Sequence, residues 1–516
     1  MTTVDRLLSS RTMSLIKTPL FKTFVAGLAL AATATAAPQA SRSLPGVGLR
    51  TLLGRPGGAP MAMSPQSLRT SQATTAWLTS IATPALSAPV LIPGIGGTAY
   101  VLRLFVPETG NEELFTLHVP DSPPGQARPL LVGFHGYGVS HLDFSYYNTS
   151  FLSEADARDW FVLAPIQINP LLNTGDLSFG SADSQLNVRA VMEYTLANWP
   201  IDLDRIYGVG FSMGGGNAVS YGARHRNRER GAFSAIVNHT GATSASDVWV
   251  HEPAIRAPLE VTFGGPPPGF EYARSSAVEL SLADGSLVQG GRHMATNLAG
   301  VAVRSYYFNG DPKAYLRDQS DRLDEFMSAT PGLSHELIVE TTSPCPNSPN
   351  PNHCWDLLDE PTVLDWLATQ SLGPPPLQGR ILADRAERWN GFDLEQHAPG
   401  AFSSLDYDLV SNSTSPSQVS LMNRENTSVI GLDLAEFGLD ATVGVQLQTF
   451  ARDGLPVTIS IQGLVGPPAV VRRNNLQVPS DCGPPSTAPR WCFDAASGTL
   501  ELHEPTGSFS RWSVTP

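Results

Sequence analysis

Residues 205–217 read Arg-Ile-Tyr-Gly-Val-Gly-Phe-Ser-Met-Gly-Gly-Gly-Asn, and this stretch decides the fold. Residues 205–209 have the apolar pattern of a short buried strand, residues 210–214 match the nucleophile-elbow motif G-x-S-x-G, and the following residues favour a helix. A serine at such a turn takes a strained backbone conformation that lifts its hydroxyl away from the sheet, and the flanking glycines leave room for it. We therefore predict that Ser212 is a nucleophile; the alternative is a glycine-rich turn with a bystander serine.

The length and charge of the chain limit its organisation and its partners. With 516 residues the chain is too long for one core, which predicts two domains and a targeting segment. Its formal net charge is -14 and its isoelectric point is about 5.2. A surface this acidic disfavours nucleic acid and an anionic membrane as partners. The sequence does not predict the oligomeric state.

Residues 1–37 have the features of a secretory signal peptide. Lys17 and Lys22 flank the start of an apolar run at 23–36, which ends in small residues that suit signal peptidase. The run is shorter than the roughly 18 residues that a spanning helix needs, so an N-terminal membrane anchor is the less favoured alternative. We expect a secreted protein, extracellular or periplasmic, with no membrane contact after cleavage. Translation can start at Met1 or at Met13.

The four cysteines form two close pairs, Cys345 with Cys354 and Cys482 with Cys492. In an oxidising compartment each pair can close a small loop and stabilise the fold by roughly 2 to 3 kcal/mol. Zinc is the competing interpretation because His353 precedes Cys354, but no C-x-x-C spacing occurs. We therefore expect two disulfides and no metal.

The pattern of the chain changes after the signal peptide and again near residue 96. Residues 38–95 are rich in Ala, Pro and Ser, which predicts a linker or pro-segment. Residues 96–372 contain a predicted hairpin and then apolar strands that alternate with helices, which is typical of a mostly parallel sheet with helices on both faces. A polar, proline-rich insertion at 244–300 interrupts this domain, either as a cap over the site of Ser212 or as a long surface connection.

A second domain is predicted after Gly373 and the three prolines that follow it, which favour a stiff hinge. Residues 377–516 alternate apolar and polar positions between Asn, Asp and Gly turns, which predicts a smaller β-rich domain, such as a sandwich. Its predicted strands are 417–422, 427–434, 441–450 and 456–463. Its aromatic residues either bind a polymer or, as is more common, form the core: Trp389, Phe402, Tyr407, Trp491 and Trp512.

A nucleophilic serine needs a base to accept its proton and an acid that holds the base in one tautomer. In this type of fold both follow the serine, on loops after later strands. Asp311 directly follows a predicted strand and is the expected acid. His353, between the last predicted strand and the last helix of this domain, is the expected base. The neighbouring aspartates fall on a predicted helix and should face solvent: Asp318, Asp321 and Asp324. The alternative bases are His225, His239 and His335.

An oxyanion hole needs two backbone N–H donors aimed at the developing negative charge. The amide of Met213, directly after the serine, is one expected donor. The other is expected in the turn Gly136-Tyr137-Gly138, with the Tyr137 amide as the donor. We expect the acyl site to be lined by the Tyr137 ring and by four further aromatic residues: Phe211, Tyr146, Tyr147 and Trp355.

Together these motifs resemble the α/β-hydrolase superfamily, and within it the secreted polyhydroxybutyrate depolymerases and feruloyl esterases. The resemblance rests on segments 134–138 and 201–207, the elbow, 310–312 and 353–355. It implies an α/β-hydrolase fold over residues 95–370. Tyr137 stands where this group usually has a cysteine, and the insertion at 244–300 is not part of its common pattern. Met213 and the Gly-Tyr turn are similar to polyester hydrolases of the cutinase and polyethylene terephthalate hydrolase type.

The sequence thus predicts a secreted serine carboxylester hydrolase that forms an acyl-enzyme on hydrophobic, aromatic or polymeric esters and needs no cofactor. A polyester hydrolase and a secreted serine peptidase of the prolyl oligopeptidase kind are alternatives with the same fold, although the large N-terminal propeller of such peptidases is missing. A third hypothesis is a binding protein in which the elbow is vestigial and the β-rich domain supplies the function.

Overall fold

The computed structural model describes residues 90–91, 98–121, 125–147, 149–346, 351–483 and 487–516. The predicted signal peptide and nearly all of the predicted linker lie outside the described residues. The side chains of residues 90, 91, 98, 146 and 147 lie outside the description as well.

A nine-stranded sheet organises the first part of the described chain. Its strands are β1 (Val90–Leu91), β2 (Thr98–Val106), β3 (Asn111–Val119), β4 (Arg128–Phe134), β5 (Phe161–Pro165), β6 (Ile201–Phe211), β7 (Ala235–His239), β8 (Ala302–Phe308) and β9 (Ser334–Glu340). They lie in the order β1-β2-β3-β5-β4-β6-β7-β8-β9. The pairs from β1 to β5 are antiparallel and all pairs from β5 to β9 are parallel. A mostly parallel sheet with antiparallel strands at one edge is the α/β-hydrolase arrangement, so the predicted fold class is confirmed.

The α-helices of the described residues connect these strands or follow them. They are α1 (Phe151–Asp156), α2 (Ala182–Asn198), α3 (Met213–Arg224), α4 (Ala245–His251), α5 (Arg256–Phe263), α6 (Phe270–Ser275), α7 (Ala314–Ala329) and α8 (Glu360–Ala368). Helix α2 begins after Ser181, whose Oγ accepts a hydrogen bond from the Ser184 N–H and so satisfies one of the free amides of its first turn. In the described part of the chain, no helix combines the length and the apolar character needed to cross a bilayer.

The central strands are buried on both faces because helices cover both sides of the sheet. Every residue of β5 and of β7 is buried. Right-handed crossovers bring the carboxyl ends of the parallel strands to one edge of the sheet, where their loops emerge. The loops after β4, β6, β8 and β9 carry, in that order, Tyr137, Ser212, Asp311 and His353.

Residues 378–515 form two further sheets of seven and six strands within the described ranges. The strands are β10 (Gln378–Ala383), β11 (Glu387–Trp389), β12 (Phe392–Gln396), β13 (Ser403–Val410), β14 (Ser417–Glu425), β15 (Thr427–Asp433), β16 (Val445–Ala451), β17 (Val457–Gln462), β18 (Val470–Arg473), β19 (Leu476–Gln477), β20 (Arg490–Asp494), β21 (Thr499–Glu504) and β22 (Ser510–Thr515). Alternate residues of β16 and β17 are buried, as expected for strands with one face on a core. The two sheets meet at that core, where the rings of Phe392 and Tyr407 are 4.7 Å apart. The predicted β-rich character of this region is confirmed.

The aromatic residues of this sandwich serve mainly as core. Trp389, Tyr407 and Trp512 are buried, and the partly buried Phe402 and Trp491 pack against the same cluster. The common interpretation of these rings, packing rather than polymer binding, is therefore confirmed for the three buried ones. The Trp512 Nε1–H donates to the buried Glu504 carboxylate, so even the polar edge of this ring is satisfied inside the fold.

The sandwich is joined to the far end of the elbow helix α3 by buried polar contacts. Arg224, the last residue of α3, donates to the Asp384 carboxylate at 2.6 Å, and both side chains are almost fully buried. Burial alone would raise the pKa of Asp384, but the guanidinium groups of Arg224 and Arg385 hold it below its usual value. Arg226 donates to Asn390 in the same interface. These contacts make the sandwich a structural support of the elbow helix.

The insertion at 244–300 takes part in this junction. The Asn297 side chain donates to the carbonyl oxygens of Ala223 and Leu382, and its Oδ1 accepts the Leu382 N–H. The Phe270 ring packs edge-to-face on Phe402 of the sandwich, with 4.9 Å between their centroids. The insertion therefore connects the elbow helix to the sandwich, a role that the sequence pattern did not suggest.

Candidate active site

Ser212 lies at a sharp turn between β6 and α3. Its φ of 56° and ψ of -120° place it in a strained region that a non-glycine residue adopts only when its surroundings impose it. The Ser212 N–H donates to the His239 carbonyl, and the Ser212 carbonyl accepts the Ala242 N–H. A Cβ on Gly214 would come within 2.0 Å of the Phe134 oxygen, so this close approach of helix and strand requires glycine.

The three residues predicted as nucleophile, base and acid meet at this turn. The His353 Nε2 lies 3.0 Å from the Ser212 Oγ, and its Nδ1 lies 2.8 Å from the Asp311 Oδ2. The other carboxylate oxygen of Asp311 accepts the Lys313 N–H, which fixes the orientation of the carboxylate. In the tautomer that this arrangement favours, Nδ1–H donates to Asp311 and Nε2 accepts the serine hydroxyl. The geometry allows a proton to pass from Ser212 to His353.

The other candidate bases do not contact the Ser212 hydroxyl in the described part of the chain. His225 is buried against the ring of Tyr221, and burial followed by the charge of Arg385 lowers its pKa well below the usual value. His239 is buried at the end of β7, where its carbonyl holds the Ser212 amide. The His335 ring contacts Ser305 and belongs to a separate network. None of the three has a hydrogen bond to the Ser212 hydroxyl among the described contacts.

The predicted oxyanion loop abuts the elbow. Strand β4 pairs with β6, and Phe134 lies opposite Gly210 in this pair. Gly210 comes directly before the turn that leads into α3. The Met213 amide is at the first position of that helix and has no intrahelical acceptor. Neither the Met213 nor the Tyr137 N–H has an acceptor among the described hydrogen bonds.

The loop between β5 and α2, residues 166–181, forms a wall beside this site that sequence reasoning missed. Buried Glu113 accepts the backbone N–H groups of Gln167 and Ile168, and burial raises the pKa of this carboxyl to about 8. Asn217 of the elbow helix donates to Gln167 and to Ser178. Nothing local in the sequence marks Glu113, because its partners lie more than fifty residues away.

An apolar cluster extends this wall toward the insertion. Phe179, whose φ of 38° is unusual for so large a residue, is buried with Leu177 and with Met213 of the elbow. Helices α4, α5 and α6 contribute most of the remaining members of the cluster, such as Val248, Leu259 and Tyr272. The first half of the insertion thus packs against the loop and the elbow together.

The residues predicted to line an acyl site differ in exposure. Tyr137 is 51% exposed, and its ring lies 6.2 Å from Phe179. Trp355 is only 3% exposed and donates its indole N–H to Asp143, so little of its ring is left to face a ligand. Phe211 is largely buried against the His353 ring. Tyr146 and Tyr147 lie on a π-helical turn, Asp143–Tyr147, but their side chains are outside the described part.

Both predicted disulfides are confirmed. Cys345 is bonded to Cys354, next to His353, and Cys482 is bonded to Cys492 in the sandwich. Because these sulfurs are bonded to each other, they do not serve as zinc thiolates, and the competing zinc interpretation fails. Two such bridges are typical of a protein that folds in an oxidising compartment.

A second Ser-His-Asp arrangement connects strands β8 and β9 to helix α7. The Ser305 Oγ is 2.9 Å from the His335 Nε2, and the His335 Nδ1 is 2.7 Å from the Asp324 Oδ1. Asn238 donates its amide to the same serine oxygen. Asp324 was predicted to face solvent, but it is only partly exposed, at 35% of its side chain, because it contacts His335. The prediction is confirmed for Asp318 and Asp321, which are exposed, although Asp321 also accepts the Tyr307 hydroxyl.

Comparison with known proteins adds to this description. No protein-family model and no curated protein sequence matches the chain. Among solved structures, it is similar to an S-formylglutathione hydrolase from Agrobacterium tumefaciens, with 16% identity, a TM-score of 0.39, and coverage of 55% of this chain and 99% of that one.

Two further solved structures are similar at the same level. They are the fluorophosphonate-binding serine hydrolase FphF from Staphylococcus aureus (13% identity, TM-score 0.36, 53% of this chain and 99% of that one) and an acetyl xylan esterase from Paenibacillus sp. R4 (12%, 0.37, 58% and 92%). With TM-scores this low, the fold assignment rests on the strand order described above, and the site rests on its own geometry.

Proposed function

We propose that the chain is a serine carboxylester hydrolase in which Ser212 is the nucleophile, His353 the base and Asp311 the acid that orients it. The single observation that carries this proposal is the continuous contact from the Ser212 hydroxyl through the His353 imidazole to the Asp311 carboxylate. It stands at a strained turn at the carboxyl edge of the sheet, where the backbone pushes a side chain toward a substrate.

In the acylation step, Ser212 attacks the ester carbonyl carbon while the His353 Nε2 takes the hydroxyl proton. The Met213 and Tyr137 amides stabilise the oxyanion of the tetrahedral intermediate. Collapse of that intermediate breaks the ester C–O bond, and the imidazolium returns the proton to the departing alcohol. Water then attacks the acyl-enzyme with His353 again as the base, which releases the acid and restores Ser212.

A hydrophobic substrate is supported by the apolar side chains around the oxyanion turn. Tyr137 and Val139 are exposed on that turn, and Leu171 is 59% exposed on the neighbouring loop. The two loops are linked by a hydrogen bond from the Gly138 N–H to the Asp176 carbonyl. Exposed apolar groups of this kind favour aromatic, hydrophobic or polymeric esters, such as polyhydroxyalkanoates or feruloylated cell-wall material.

Secretion is part of the same proposal. The two disulfides support it because such bridges persist in oxidising compartments. Expression of the full chain, followed by cell fractionation and N-terminal sequencing of the exported protein, tests it. A mature N-terminus near residue 38 is the expected result, and an uncleaved cytoplasmic product contradicts it.

The catalytic proposal is tested by labelling the full chain with a fluorophosphonate and locating the adduct by mass spectrometry. We expect one adduct, on Ser212. A panel of p-nitrophenyl esters, feruloyl esters and polyhydroxybutyrate film, beside p-nitroanilide peptides, then assigns the substrate class. Efficient cleavage of the anilides marks a peptidase instead, and absence of both labelling and turnover marks a binding protein.

A further inference from the structure

Phe211, the residue directly before Ser212, packs against two imidazole rings. Its centroid is 4.6 Å from that of His353, with 43° between the ring planes, and 4.8 Å from that of His239. The indole of Trp355 closes the group at 5.2 Å from the same phenyl ring. Because Phe211 is only 9% exposed, most of its surface is committed to these contacts and little is left for a substrate.

The contact with His353 matters at one moment of the proposed reaction. The imidazole is neutral before the serine attacks and becomes an imidazolium as it takes the proton. An aromatic ring within about 6 Å attracts a cation through its quadrupole, and the attraction is stronger where water is excluded. The phenyl ring therefore stabilises the charged form of the base more than the neutral form. An interaction that is stronger in the transition state than in the ground state accelerates the reaction.

We infer that Phe211 is a positioning residue for the base, which holds the His353 imidazole against Ser212 and stabilises the imidazolium, and is not part of the acyl-binding wall. This inference rests on the proposed function, because it assigns a role within the same reaction.

The second imidazole does not oppose this effect. His239 is 2% exposed, and burial together with the nearby charge of His353 lowers its pKa well below the usual value, so the ring is neutral when the enzyme works. The other titratable groups near the base are Asp311 at its Nδ1, Asp143 behind Trp355, and the Lys313–Glu252 ion pair beyond Asp311. Phe211 is thus the residue of the elbow whose aromatic ring contacts the His353 imidazole directly.

The test compares Phe211→Leu and Phe211→Tyr in the full chain, with kcat/KM for p-nitrophenyl butyrate measured across pH. Leucine keeps apolar packing but has no quadrupole, so the imidazolium is less stable and the base stays neutral to lower pH. We expect the acidic limb of the profile to move down by about 0.4 to 1 pH unit and the plateau to fall about 2- to 10-fold. The Phe211→Tyr variant, which keeps an aromatic ring, should keep the acidic limb and the plateau close to their wild-type values.

Phe144→Leu is the matched control. Phe144 is a fully buried ring of the same cluster that contacts Trp355 but, among the described contacts, makes no ring contact with His353. We expect it to lower thermal stability and to leave the acidic limb in place. An unmoved limb in Phe211→Leu, or an equal shift in Phe144→Leu, overturns the inference.

Fluorophosphonate labelling of the wild-type chain separates this inference from the proposal that underlies it. If Ser212 is not labelled, the proposed function itself fails. If Ser212 is labelled, and the pH profile of the labelling rate has the same acidic limb in wild type and in Phe211→Leu, only the role of Phe211 fails.

Discussion

Two Ser-His-Asp arrangements in one chain have nearly the same distances but different surroundings. In the first, the His353 nitrogens lie 3.0 Å from the Ser212 oxygen and 2.8 Å from Asp311. In the second, the His335 nitrogens lie 2.9 Å from the Ser305 oxygen and 2.7 Å from Asp324. By distance and residue type alone the two cannot be told apart.

Their backbones and their access to solvent distinguish them. Ser212 is in a strained conformation at a turn and is partly exposed, whereas Ser305 is a regular residue of β8, paired with β7 on one side and β9 on the other. Ser305 is 0% exposed, and Asn238 donates to its oxygen. A hydroxyl enclosed in this way cannot reach a carbonyl carbon. The comparison teaches that the elbow and its position at the sheet edge, more than the triad distances, distinguish a nucleophile from a structural serine.

The largest expected effect comes from replacing each serine by alanine. Ser212→Ala should lower kcat for p-nitrophenyl esters by roughly 10⁴ to 10⁶, because the nucleophile is lost. Ser305→Ala should change kcat/KM by less than about threefold. It should instead lower the free energy of unfolding by about 1 to 2 kcal/mol, because Asn238 and His335 lose a buried partner.

Steady-state kinetics and urea unfolding of both variants make this comparison. A large loss of activity in a stably folded Ser305→Ala variant would show that the buried arrangement takes part in the chemistry. Comparable activity in Ser212→Ala and wild type would remove the basis for the whole site.

The second effect concerns how the elbow helix is held at its other end. Asp384→Ala leaves the buried guanidinium of Arg224 without its carboxylate, which should cost roughly 3 to 5 kcal/mol of unfolding free energy. Glu336→Ala is the matched control, because it breaks an ion pair with Arg304 in which the glutamate side chain is 55% exposed. That change should cost about 0 to 1 kcal/mol.

Urea unfolding of the two variants decides this prediction. Equal losses of unfolding free energy in the two variants would mean that the sandwich is loosely attached. The junction would then not stabilise the domain that carries Ser212, His353 and Asp311. A large cost for Asp384→Ala alone would show that the sandwich stabilises the domain that carries Ser212.

Much of the candidate site was predictable because its signals are local. The G-x-S-x-G pattern, the apolar strand before it and the loop positions of Asp311 and His353 each depend on a few neighbouring residues, and the structure brings the three side chains together. The close pairs of cysteines were equally readable, since short spacing leaves little choice of partner. Strand patterns after residue 417 came within a few residues of the observed strands for the same reason.

The unpredicted features are those that depend on distant partners. The Glu113 carboxylate holds a loop more than fifty residues away, and Asn297 joins the elbow helix to the sandwich. The contact of Asp324 with His335 was not predicted, because helix position alone does not show which strand residue stands opposite it. Trp355 was expected to line the acyl site, but its buried indole donates to Asp143. Such contacts follow from packing, which one sequence does not reveal.

The third effect tests why the two histidines are held differently. His353 lies on a loop closed by the Cys345–Cys354 bridge, whereas His335 is fixed in strand β9. Replacing both cysteines of this bridge by serine should lower unfolding free energy by roughly 2 to 3 kcal/mol and also lower kcat/KM at least tenfold, because the base loses its fixed position.

The Cys482–Cys492 bridge is the matched control, with a sequence separation of 10 residues against 9. Its double serine variant should show a similar loss of stability with activity retained. If both bridges affect kcat/KM equally, the loss reflects general loosening and not the position of His353.

The smallest expected effect is on the pH dependence of stability, and it concerns His335, the buried histidine of the second arrangement. Burial lowers the pKa of His335 below its ordinary value of 6.5, and the attraction of Asp324 only partly opposes this. Between pH 6.5 and that lower pKa, His335 binds a proton in the unfolded chain but not in the native state. Its contribution to the unfolding free energy is therefore fully present above pH 6.5 and is lost as the pH falls. His335→Gln should therefore make the fall in unfolding free energy below pH 6.5 shallower, by at most about 1.4 kcal/mol per pH unit. Urea unfolding from pH 7.5 to 4.5 measures both slopes, and equal slopes would mean that His335 takes up its proton as readily in the fold as in the unfolded chain.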